Sequence, residues 1–433
     1  MGAGGTSAGL VAAARGALRL LARPVRAASG RGGVVLQPYR GYGSREEVFL
    51  IGRVFTQPAA GPSPAEGTAG RDAVDLGRRL LRRGVAGAAL VARFCGSEQR
   101  VATDRDGYFR VNLRPAQPPP SDRLWHAMDL ELVAPEGVRA EGRVFVPPGT
   151  CRLVVVSDID DTVMETGVAS KAVMLWRLFM QGAGSRVAFP GVAAFLRALH
   201  AGASGAEMNP TLYVSRAPWG NYEVLDAFFR LHGIPVGPLL FLREWGLTVQ
   251  SPLPRRGKGH KLGLIRNMLA LYRELPFVLV GDSGQRDPEI YAQVVRENPG
   301  RVLAVYVRNV SRDPGRVRAI EALAAEVAAA GSSLLLAADS VAMAGHAAAR
   351  GLVAPGTPAE VLGERAAQGG AAEPGPGPTR EVVRPTAGET VAAVGRGRLG
   401  EALGAGDGEG PPPNVVVGPG DARPPDPPAY PPR

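Results

Sequence analysis

The sequence has few cysteines and no long apolar run. Cys95 and Cys151 are its only cysteines, and they lie far apart in the chain. A disulfide framework or a cysteine-based zinc site is therefore excluded, and free thiols in a reducing, cytoplasmic compartment are expected. A segment that spans a bilayer needs about 20 consecutive apolar residues, and no stretch of the chain approaches that length. The sequence thus predicts a protein that is not embedded in a membrane.

Lysine is also scarce, because only Lys171, Lys258 and Lys261 occur among the 50 basic residues. The formal net charge is +10, but residues 1–45 hold seven arginines and no acidic residue. Most of the excess positive charge therefore lies at the N-terminus, and the remainder of the chain is close to neutral. This distribution argues against a basic groove for specific nucleic-acid binding.

Residues 1–44 are interpreted as a basic, partly amphipathic arm. Over Ala8–Ala22 the apolar side chains, Leu18 and Leu21 among them, fall on one helical stripe beside arginines, and Pro24 ends the pattern. Such a helix indicates either peripheral contact with an anionic membrane surface or a transit peptide. An unstructured basic leader is the alternative.

Three further regions follow the arm. Residues 45–149 alternate short apolar runs with turn residues, which predicts a small β-sandwich as an accessory domain. Residues 150–345 alternate strands with helices, the last helix running from about residue 316 into the 340s with a partial break at Gly331. This alternation predicts a parallel sheet with helices on both faces, and hence an α/β fold. Residues 346–433 become rich in proline, glycine and alanine, so we expect them to be unstructured.

A cluster of carboxylates follows the first predicted strand of the α/β region. The strand Leu153–Val156 runs into Asp158, Asp160 and Asp161, and carboxylates so close repel one another unless a cation or a positively charged partner is present. Side chains two residues apart in an extended segment point the same way. This suits Asp158 as a nucleophile that attacks phosphorus, and Asp160 as the acid that protonates the leaving oxygen and the base that then activates water. Thr162 would orient the loop.

Two other kinds of polar group follow in the chain. Ser215 ends the second predicted strand, where its hydroxyl would either bind a phosphoryl oxygen or begin a turn. Lys258 and Lys261 lie close together before a predicted helix, where an ammonium would clamp a phosphate and neutralise the aspartates. Lys261 lies nearer to the N-terminus of that helix, where anions are favoured. Both lysines remain candidates for the clamp.

Asp282 and Asp287 follow the third predicted strand on a glycine-containing loop. Mg²⁺ prefers one or two carboxylates together with water and phosphate oxygens, and Asp282 with Asp158 would supply them. Asp287 would support the site by binding the metal through water or by fixing Lys261. It also precedes Pro288, where a helix would need an N-cap residue.

Taken in this order, the motifs resemble those of the haloacid dehalogenase-like (HAD) phosphohydrolase superfamily. The surrounding sequence is similar to the catalytic family of the actin-patch-type phosphatidate phosphatases. The similarity covers about residues 144–313 and is carried by Ser157–Gly167, Phe189–Val192, Tyr213–Trp219, His260–Lys261 and Gly281–Tyr291.

The resemblance implies an HAD-like Rossmannoid fold for residues 150–345 and Mg²⁺-dependent hydrolysis of phosphatidate to diacylglycerol. Phosphatidate or a related lipid phosphate is then the expected substrate, and Mg²⁺ the expected cofactor. The expected catalytic residues are Asp158, Asp160, Thr162, Ser215 and Lys261. The expected metal ligands are Asp158, Asp160, Asp282 and Asp287.

Two alternative functions remain open. A phosphatase that acts on a soluble phosphomonoester, such as a sugar or nucleotide phosphate, would use the same residues. A non-catalytic adaptor would bind partners through the β-rich domain and the proline-rich tail. The adaptor hypothesis predicts at least one broken catalytic position, and the sequence shows none.

Overall fold

A computed structural model describes residues 33–57, 81–159, 190–219, 222–243, 260–311, 313–368 and 380–381, together with Arg15, Leu18, Val74, Asp75 and Arg78. Asp160, Thr162 and Lys258 lie outside these residues. So do the predicted tail beyond residue 381 and, apart from Arg15 and Leu18, the predicted N-terminal helix. Within the described ranges, no helix is long and apolar enough to cross a membrane.

The described part of the N-terminal region, called the β-region below, forms one network of nine strands. The strands are β1 (Val34–Pro38), β2 (Gly41–Gly43), β3 (Val48–Thr56), β4 (Arg83–Gly84), β5 (Ala89–Phe94), β6 (Ser97–Ala102), β7 (Tyr108–Leu113), β8 (Trp125–Leu132) and β9 (Arg139–Phe145). They are joined in the order β1-β3-β2-β9-β8-β5-β6, and β4 and β7 also pair with β3. Leu50, Leu90 and Leu130 are among the side chains that these strands bury in a common apolar core.

Strands β1 and β2 lie within residues 1–44, so the prediction that this whole segment is a basic arm is wrong for residues 33–44. The sequence does not indicate a strand at β2, because glycine, which supplies two of its three residues, has a low strand propensity. The glycines are needed for close pairing with β3: a Cβ at Gly41 would lie 2.3 Å from the carbonyl oxygen of Phe49. Backbone proximity, rather than side-chain pattern, therefore defines this strand.

The second sheet has seven strands among the described residues, and their order determines where a site forms. They are β10 (Val154–Asp158), β11 (Thr211–Pro218), β12 (Leu239–Arg243), β13 (Phe277–Asp282), β14 (Val302–Arg308), β15 (Leu334–Ala337) and β16 (Arg380–Glu381), in the order β12-β11-β10-β13-β14-β15-β16. All neighbouring pairs are parallel except β15 with β16. Along the chain, β11 and then β12 extend the sheet from β10 to one edge. The next strand, β13, pairs with the other side of β10. In such sheets, ligands bind in a crevice at the carboxyl ends of the two neighbouring strands between which the strand order reverses.

Helices cover both faces of this sheet. The seven that fall in the described residues are α1 (Val192–Ala201), α2 (Tyr222–Leu231), α3 (His260–Leu271), α4 (Asp287–Glu297), α5 (Pro314–Ala329), α6 (Ser340–Ala349) and α7 (Thr357–Ala367). Because successive strand side chains point to opposite faces, Val155 packs in a core with residues of α1, α2, α6 and α7. Val154 and Val156 pack with residues of α3, α4 and α5. The predicted α/β class with a parallel sheet is therefore confirmed.

Three strands of this sheet, β12, β15 and β16, were not predicted. Strands β12 and β15 are short and largely apolar, and β16 lies in the segment that was predicted to be unstructured. Strand β15 lies within the helix that was predicted from about residue 316 into the 340s, just after the partial break expected at Gly331. That prediction is wrong, because α5 ends at Ala329 and α6 begins at Ser340. A short apolar run fits a buried strand and a buried helix segment equally well, so periodicity alone does not separate the two.

Helix α7 lies within residues 346–433, so the prediction that this segment is unstructured is wrong for Thr357–Ala367. Its Glu364 accepts a hydrogen bond from the backbone N–H of Ala194, in the first turn of α1, at 3.0 Å. Gln368, just after α7, accepts another from the N–H of Gly191 at 3.0 Å. These N–H groups have no partner within α1 itself. Tertiary contacts of this kind, which composition does not reveal, stabilise short helices.

The β-region packs against the N-terminal part of α2. The buried ring of Tyr39 stacks on Tyr222, with ring centroids 4.3 Å apart, and on Trp219, with centroids 5.3 Å apart. The backbone N–H of Arg40 donates to the Tyr222 hydroxyl at 2.8 Å, and the Arg40 guanidinium forms an ion pair with Asp226. This interface connects the β-region to the segment that directly follows Ser215.

Replacing Tyr39 by Ala is expected to lower the free energy of unfolding by about 3 kcal/mol, because it leaves a cavity between two aromatic rings. Urea titration followed by tryptophan fluorescence measures the change. Tyr39→Phe is the matched control, since it keeps the stacked ring and is expected to unfold close to the wild-type midpoint. An unchanged midpoint in Tyr39→Ala would show that this interface does not stabilise the fold.

Candidate active site

Asp158 and Asp282 lie at the carboxyl ends of the two strands that flank the reversal of strand order. Asp158 is the last residue of β10, and Asp282 is the last residue of β13. In the parallel pairing of these strands Ser157 lies opposite Val280, so the two aspartates end the strands at nearly the same level. The fold therefore brings both carboxylates to the crevice where doubly wound sheets bind ligands.

Lys261 lies between two of the predicted site carboxylates. It is in the first turn of α3, and its side chain is only 4% exposed. Its Nζ lies 2.9 Å from Oδ1 of Asp158, and it also forms an ion pair with the fully buried Asp287. Burial alone would lower the pKa of Lys261, but the two carboxylates outweigh it and raise the pKa above its ordinary value. The ammonium therefore stays charged at neutral pH.

The loop after β13 ties Asp282 to Asp158. Oδ1 of Asp282 accepts hydrogen bonds from the backbone N–H groups of Gly284 at 2.7 Å and Gln285 at 3.1 Å. The side-chain amide of Gln285 donates to Oδ2 of Asp158 at 3.2 Å. Both oxygens of Asp158 are thus engaged, one by Lys261 and the other by Gln285. Such contacts fix the orientation of a carboxylate before a substrate arrives.

Three carboxylates at this site could hold a metal ion. Asp158, Asp282 and Asp287 each offer an oxygen, and these atoms lie within 4.8 Å of one another. Oδ2 of Asp287 is buried and has no hydrogen-bond partner among the described residues. A buried carboxylate oxygen in this state is costly unless a cation or a donor satisfies it. The oxygen donors and the unsatisfied atom fit a hard divalent cation such as Mg²⁺.

Gly281 allows Asp287 to approach the strand end. A Cβ at this position would lie 2.3 Å from Oδ2 of Asp287 and 2.9 Å from the ring of Tyr291. Any other residue would therefore displace the carboxylate from the cluster.

Of the remaining predicted site residues, Ser215 is the one that lies among the described residues. Ser215 is fully buried near the end of β11, one residue beyond Val214, which lies opposite Asp158 in the strand pairing. It is therefore at the same edge of the sheet as the aspartates. Asp160, Thr162 and Lys258 lie outside the described residues, so the roles predicted for them stay predictions.

Comparison with known proteins identifies the segment that carries this site. Residues 153–309 match the family described as phosphatidate phosphatase APP1, catalytic domain. This segment is therefore similar to the catalytic domain of that family. The match spans β10 to β14 and includes all of the carboxylates and the lysine described above.

Two curated relatives cover the same part of the chain. Phosphatidate phosphatase APP1 of Saccharomyces cerevisiae is 31% identical over 153 residues, which are 35% of this chain and 25% of the yeast protein. An uncharacterised protein of Schizosaccharomyces pombe is 28% identical over 156 residues, 35% of this chain and 24% of that protein. The chain thus matches about a quarter of the length of each relative.

Among solved structures, a carbohydrate acetylesterase from Xanthomonas citri aligns with a TM-score of 0.26 and 11% identity, over 68% of this chain and 65% of that one. Similarity at this level supports no argument about fold or function.

Within residues 153–309, the position of Asp287 corrects one sequence prediction. Asp287 is the first residue of α4, and Arg286 occupies the N-cap position without a side-chain capping bond. The predicted N-cap role is therefore wrong. The carboxylate instead faces Lys261, because an ion pair with a buried ammonium satisfies it better than a helix end would.

Two site contacts had no predicted role. Gln285 lies within the run between Asp282 and Asp287, so its position in that motif was a local signal. Tyr291 ends the same similar stretch, Gly281–Tyr291: its ring lies 5.6 Å from Nζ of Lys261, and its hydroxyl donates to the carbonyl of Val280 at 3.0 Å. Burial, followed by the negative charges of the nearby aspartates, raises the pKa of Tyr291 well above its ordinary value, so the phenol stays neutral.

Proposed function

We propose that the protein is a Mg²⁺-dependent phosphatidate phosphatase that releases diacylglycerol and phosphate through an aspartyl-phosphate on Asp158. The observation that carries this proposal is the arrangement of Asp158 between Lys261 and Gln285, within a segment that matches the APP1 catalytic family. We further propose that the α/β sheet is HAD-like and that the β-region is a β-sandwich accessory domain. The strand order, with Asp158 ending the interior strand β10 at the point where that order reverses, supports the first of these.

Asp158 is proposed as the nucleophile. Its carboxylate oxygen would attack phosphorus, forming an O–P bond while the bond from phosphorus to the diacylglycerol oxygen breaks. Asp160 would protonate the leaving oxygen, then take a proton from a water molecule that attacks the aspartyl-phosphate. Phosphate leaves, and both carboxylates return to their starting states. Thr162 would orient the loop that carries Asp160.

Lys261 and Ser215 are proposed to act on the phosphoryl group. The Lys261 ammonium already contacts Asp158, so a phosphoryl group transferred to that carboxylate would lie next to a fixed positive charge. Preorganised charge of this kind stabilises the negative charge of the transition state. Ser215 would donate a hydrogen bond to a phosphoryl oxygen.

Asp158, Asp160, Asp282 and Asp287 are proposed to hold Mg²⁺. The bound ion would neutralise phosphate charge and so favour attack by an anionic carboxylate. The buried, unsatisfied oxygen of Asp287 supports a cation at this position.

A lipid substrate requires access to a membrane surface. We propose that the arginine-rich residues 1–32 make peripheral contact with anionic lipid on the cytoplasmic side. The absence of acidic residues in this segment supports attraction to such a surface.

Phosphate release should be measured from phosphatidate in mixed micelles and from p-nitrophenyl phosphate, each with Mg²⁺ and with a chelator. We expect release to require the metal and kcat/KM to favour the lipid by at least about tenfold, since productive contacts with the acyl chains add binding energy at the transition state. A preference for the soluble ester would overturn the lipid assignment but keep the chemistry. Failure to hydrolyse either substrate would favour the adaptor hypothesis.

A further inference from the structure

Arg316 binds the loop that carries the candidate metal ligands, although it lies beyond the family match. It is the third residue of α5, and its side chain is 21% exposed. Its Nε donates to the carbonyl of Ser283 at 2.9 Å, and its Nη2 donates to the carbonyl of Gln285 at 2.5 Å. The same guanidinium forms a two-pronged ion pair with Glu289 in the first turn of α4.

The two carbonyls that Arg316 holds lie on either side of Gly284. The N–H groups of Gly284 and Gln285 donate to Asp282, and the Gln285 side chain reaches Asp158. Holding the Ser283 carbonyl fixes the peptide plane that carries the N–H of Gly284, which orients Asp282. Holding the Gln285 carbonyl restrains the backbone from which the Gln285 side chain reaches Asp158. A shift of the loop would misplace two proposed metal ligands together.

The opposite side of the loop is held independently. The Ser283 hydroxyl accepts hydrogen bonds from the N–H groups of Val310 at 2.9 Å and Ser311 at 3.0 Å. The N–H of Ser283 donates to the carbonyl of Arg308 at 2.8 Å. The start of the loop is thus hydrogen-bonded to the end of β14 and the residues that follow it. The carbonyl of Gln285, farther along the loop, accepts its hydrogen bond from Arg316.

Arginine suits this position better than lysine. The contacts need donors in a fixed plane, two toward carbonyls and two toward a carboxylate, and a guanidinium supplies five N–H donors in such an array. An ammonium has three donors at one point and cannot span the same groups. The ion pair with Glu289 also neutralises the guanidinium, which limits its repulsion of a cation bound at the aspartates.

We propose that Arg316 is a positioning residue that sets the divalent-cation affinity of the Asp158–Asp282–Asp287 site by holding the Ser283–Gln285 loop. The inference rests on the proposed function, because it needs a cation at this site. Residues that orient the metal ligands by hydrogen bonding, without touching the metal, typically change metal affinity by about 10- to 100-fold when they are replaced. Arg316 acts through the loop and touches neither the metal nor the substrate.

Direct binding of Mn²⁺, used as a spectroscopic substitute for Mg²⁺, tests the inference with the full chain. The electron paramagnetic resonance signal of free Mn²⁺ gives the dissociation constant without any turnover. We expect Arg316→Lys to weaken Mn²⁺ binding at least about tenfold. Arg318→Lys is the matched control on the same helix, since Arg318 is exposed, and it should bind as the wild type does.

Glu289→Gln provides a second variant in case Arg316→Lys does not fold. It keeps the size of the side chain and removes only the charge, so we expect binding about threefold weaker. Thermal unfolding without metal, measured for each variant, separates a loss of affinity from a loss of structure.

Each outcome bears on a different statement. If folded Arg316→Lys and Glu289→Gln both bind Mn²⁺ as tightly as the wild type, the role of Arg316 is overturned and the proposed function stands. If the wild type binds no Mn²⁺, or if Asp282→Asn binds it equally well, the metal site is overturned and the inference falls with it.

Discussion

Asp158→Asn is expected to lower kcat for phosphatidate hydrolysis by at least about 10³-fold, because an amide cannot form the proposed aspartyl-phosphate. The substitution keeps the size and shape of the side chain at the end of β10. Lys261 also keeps its ion pair with Asp287, so the site should remain assembled. Phosphate release from mixed micelles with saturating Mg²⁺ measures the effect.

Asp122→Asn is the control for this experiment. Asp122 is exposed in the β-region, and its pKa is lowered mainly by a hydrogen bond from the neighbouring Arg123, so removing its charge should leave turnover unchanged. An Asp158→Asn enzyme that is folded and keeps more than about a tenth of wild-type turnover would rule out Asp158 as the nucleophile, since loss of a nucleophile costs orders of magnitude.

Lys261→Met is expected to change both activity and stability. Loss of the ammonium beside Asp158 should lower kcat about 10²- to 10³-fold, the range found when a preorganised charge-stabilising group is removed. It also leaves two buried carboxylates without their cation, so the free energy of unfolding in the absence of metal should fall by about 3–5 kcal/mol. Steady-state kinetics and urea unfolding in chelator measure the two effects.

The double variant Lys261→Met with Asp287→Asn separates these effects. Removing the Asp287 charge relieves the repulsion that Lys261→Met creates, so part of the lost stability should return while turnover stays low. The coupling between the two substitutions follows from a double-mutant cycle. If Lys261→Met unfolds at the wild-type urea midpoint, the ion pairs at this site do not stabilise the fold as the structure indicates.

The strands that carry the site were predictable because each is a buried apolar run ending in polar residues. Val154–Asp158 and Phe277–Asp282 both show this pattern, and the carboxyl ends of parallel strands meet at one edge. The pattern also predicted that Asp158 and Asp282 would lie close together. Strand β2 could not be predicted in the same way, because its glycines are required by the backbone of β3 and show no periodicity.

The contacts that orient the carboxylates were less accessible to sequence reasoning. The sequence could not choose between Lys258 and Lys261, because the distance from a lysine to Asp158 and Asp287 depends on how the chain packs at the ends of β10 and β13. The structure describes Lys261 only, and Lys261 contacts both carboxylates. Arg316 lies 27 residues from Glu289 and 31 from Gln285, and it meets them only because α5 packs beside α4. Arginine, glutamate and glutamine are common on protein surfaces, so a contact between them across about 30 residues produces no pattern that a single sequence reveals.

Mapping a covalent phosphoryl group tests the proposed chemistry most directly. ³²P-labelled phosphatidate should be mixed with wild-type protein and with Asp160→Asn, in which water activation is slowed, and the reaction quenched in acid within a single turnover. The proposed mechanism predicts hydroxylamine-sensitive label on the peptide that contains Asp158, more of it in Asp160→Asn and none when Asp158 is also changed to Asn. Label on another residue, or turnover by Asp160→Asn with no protein-bound label at any time, would contradict it.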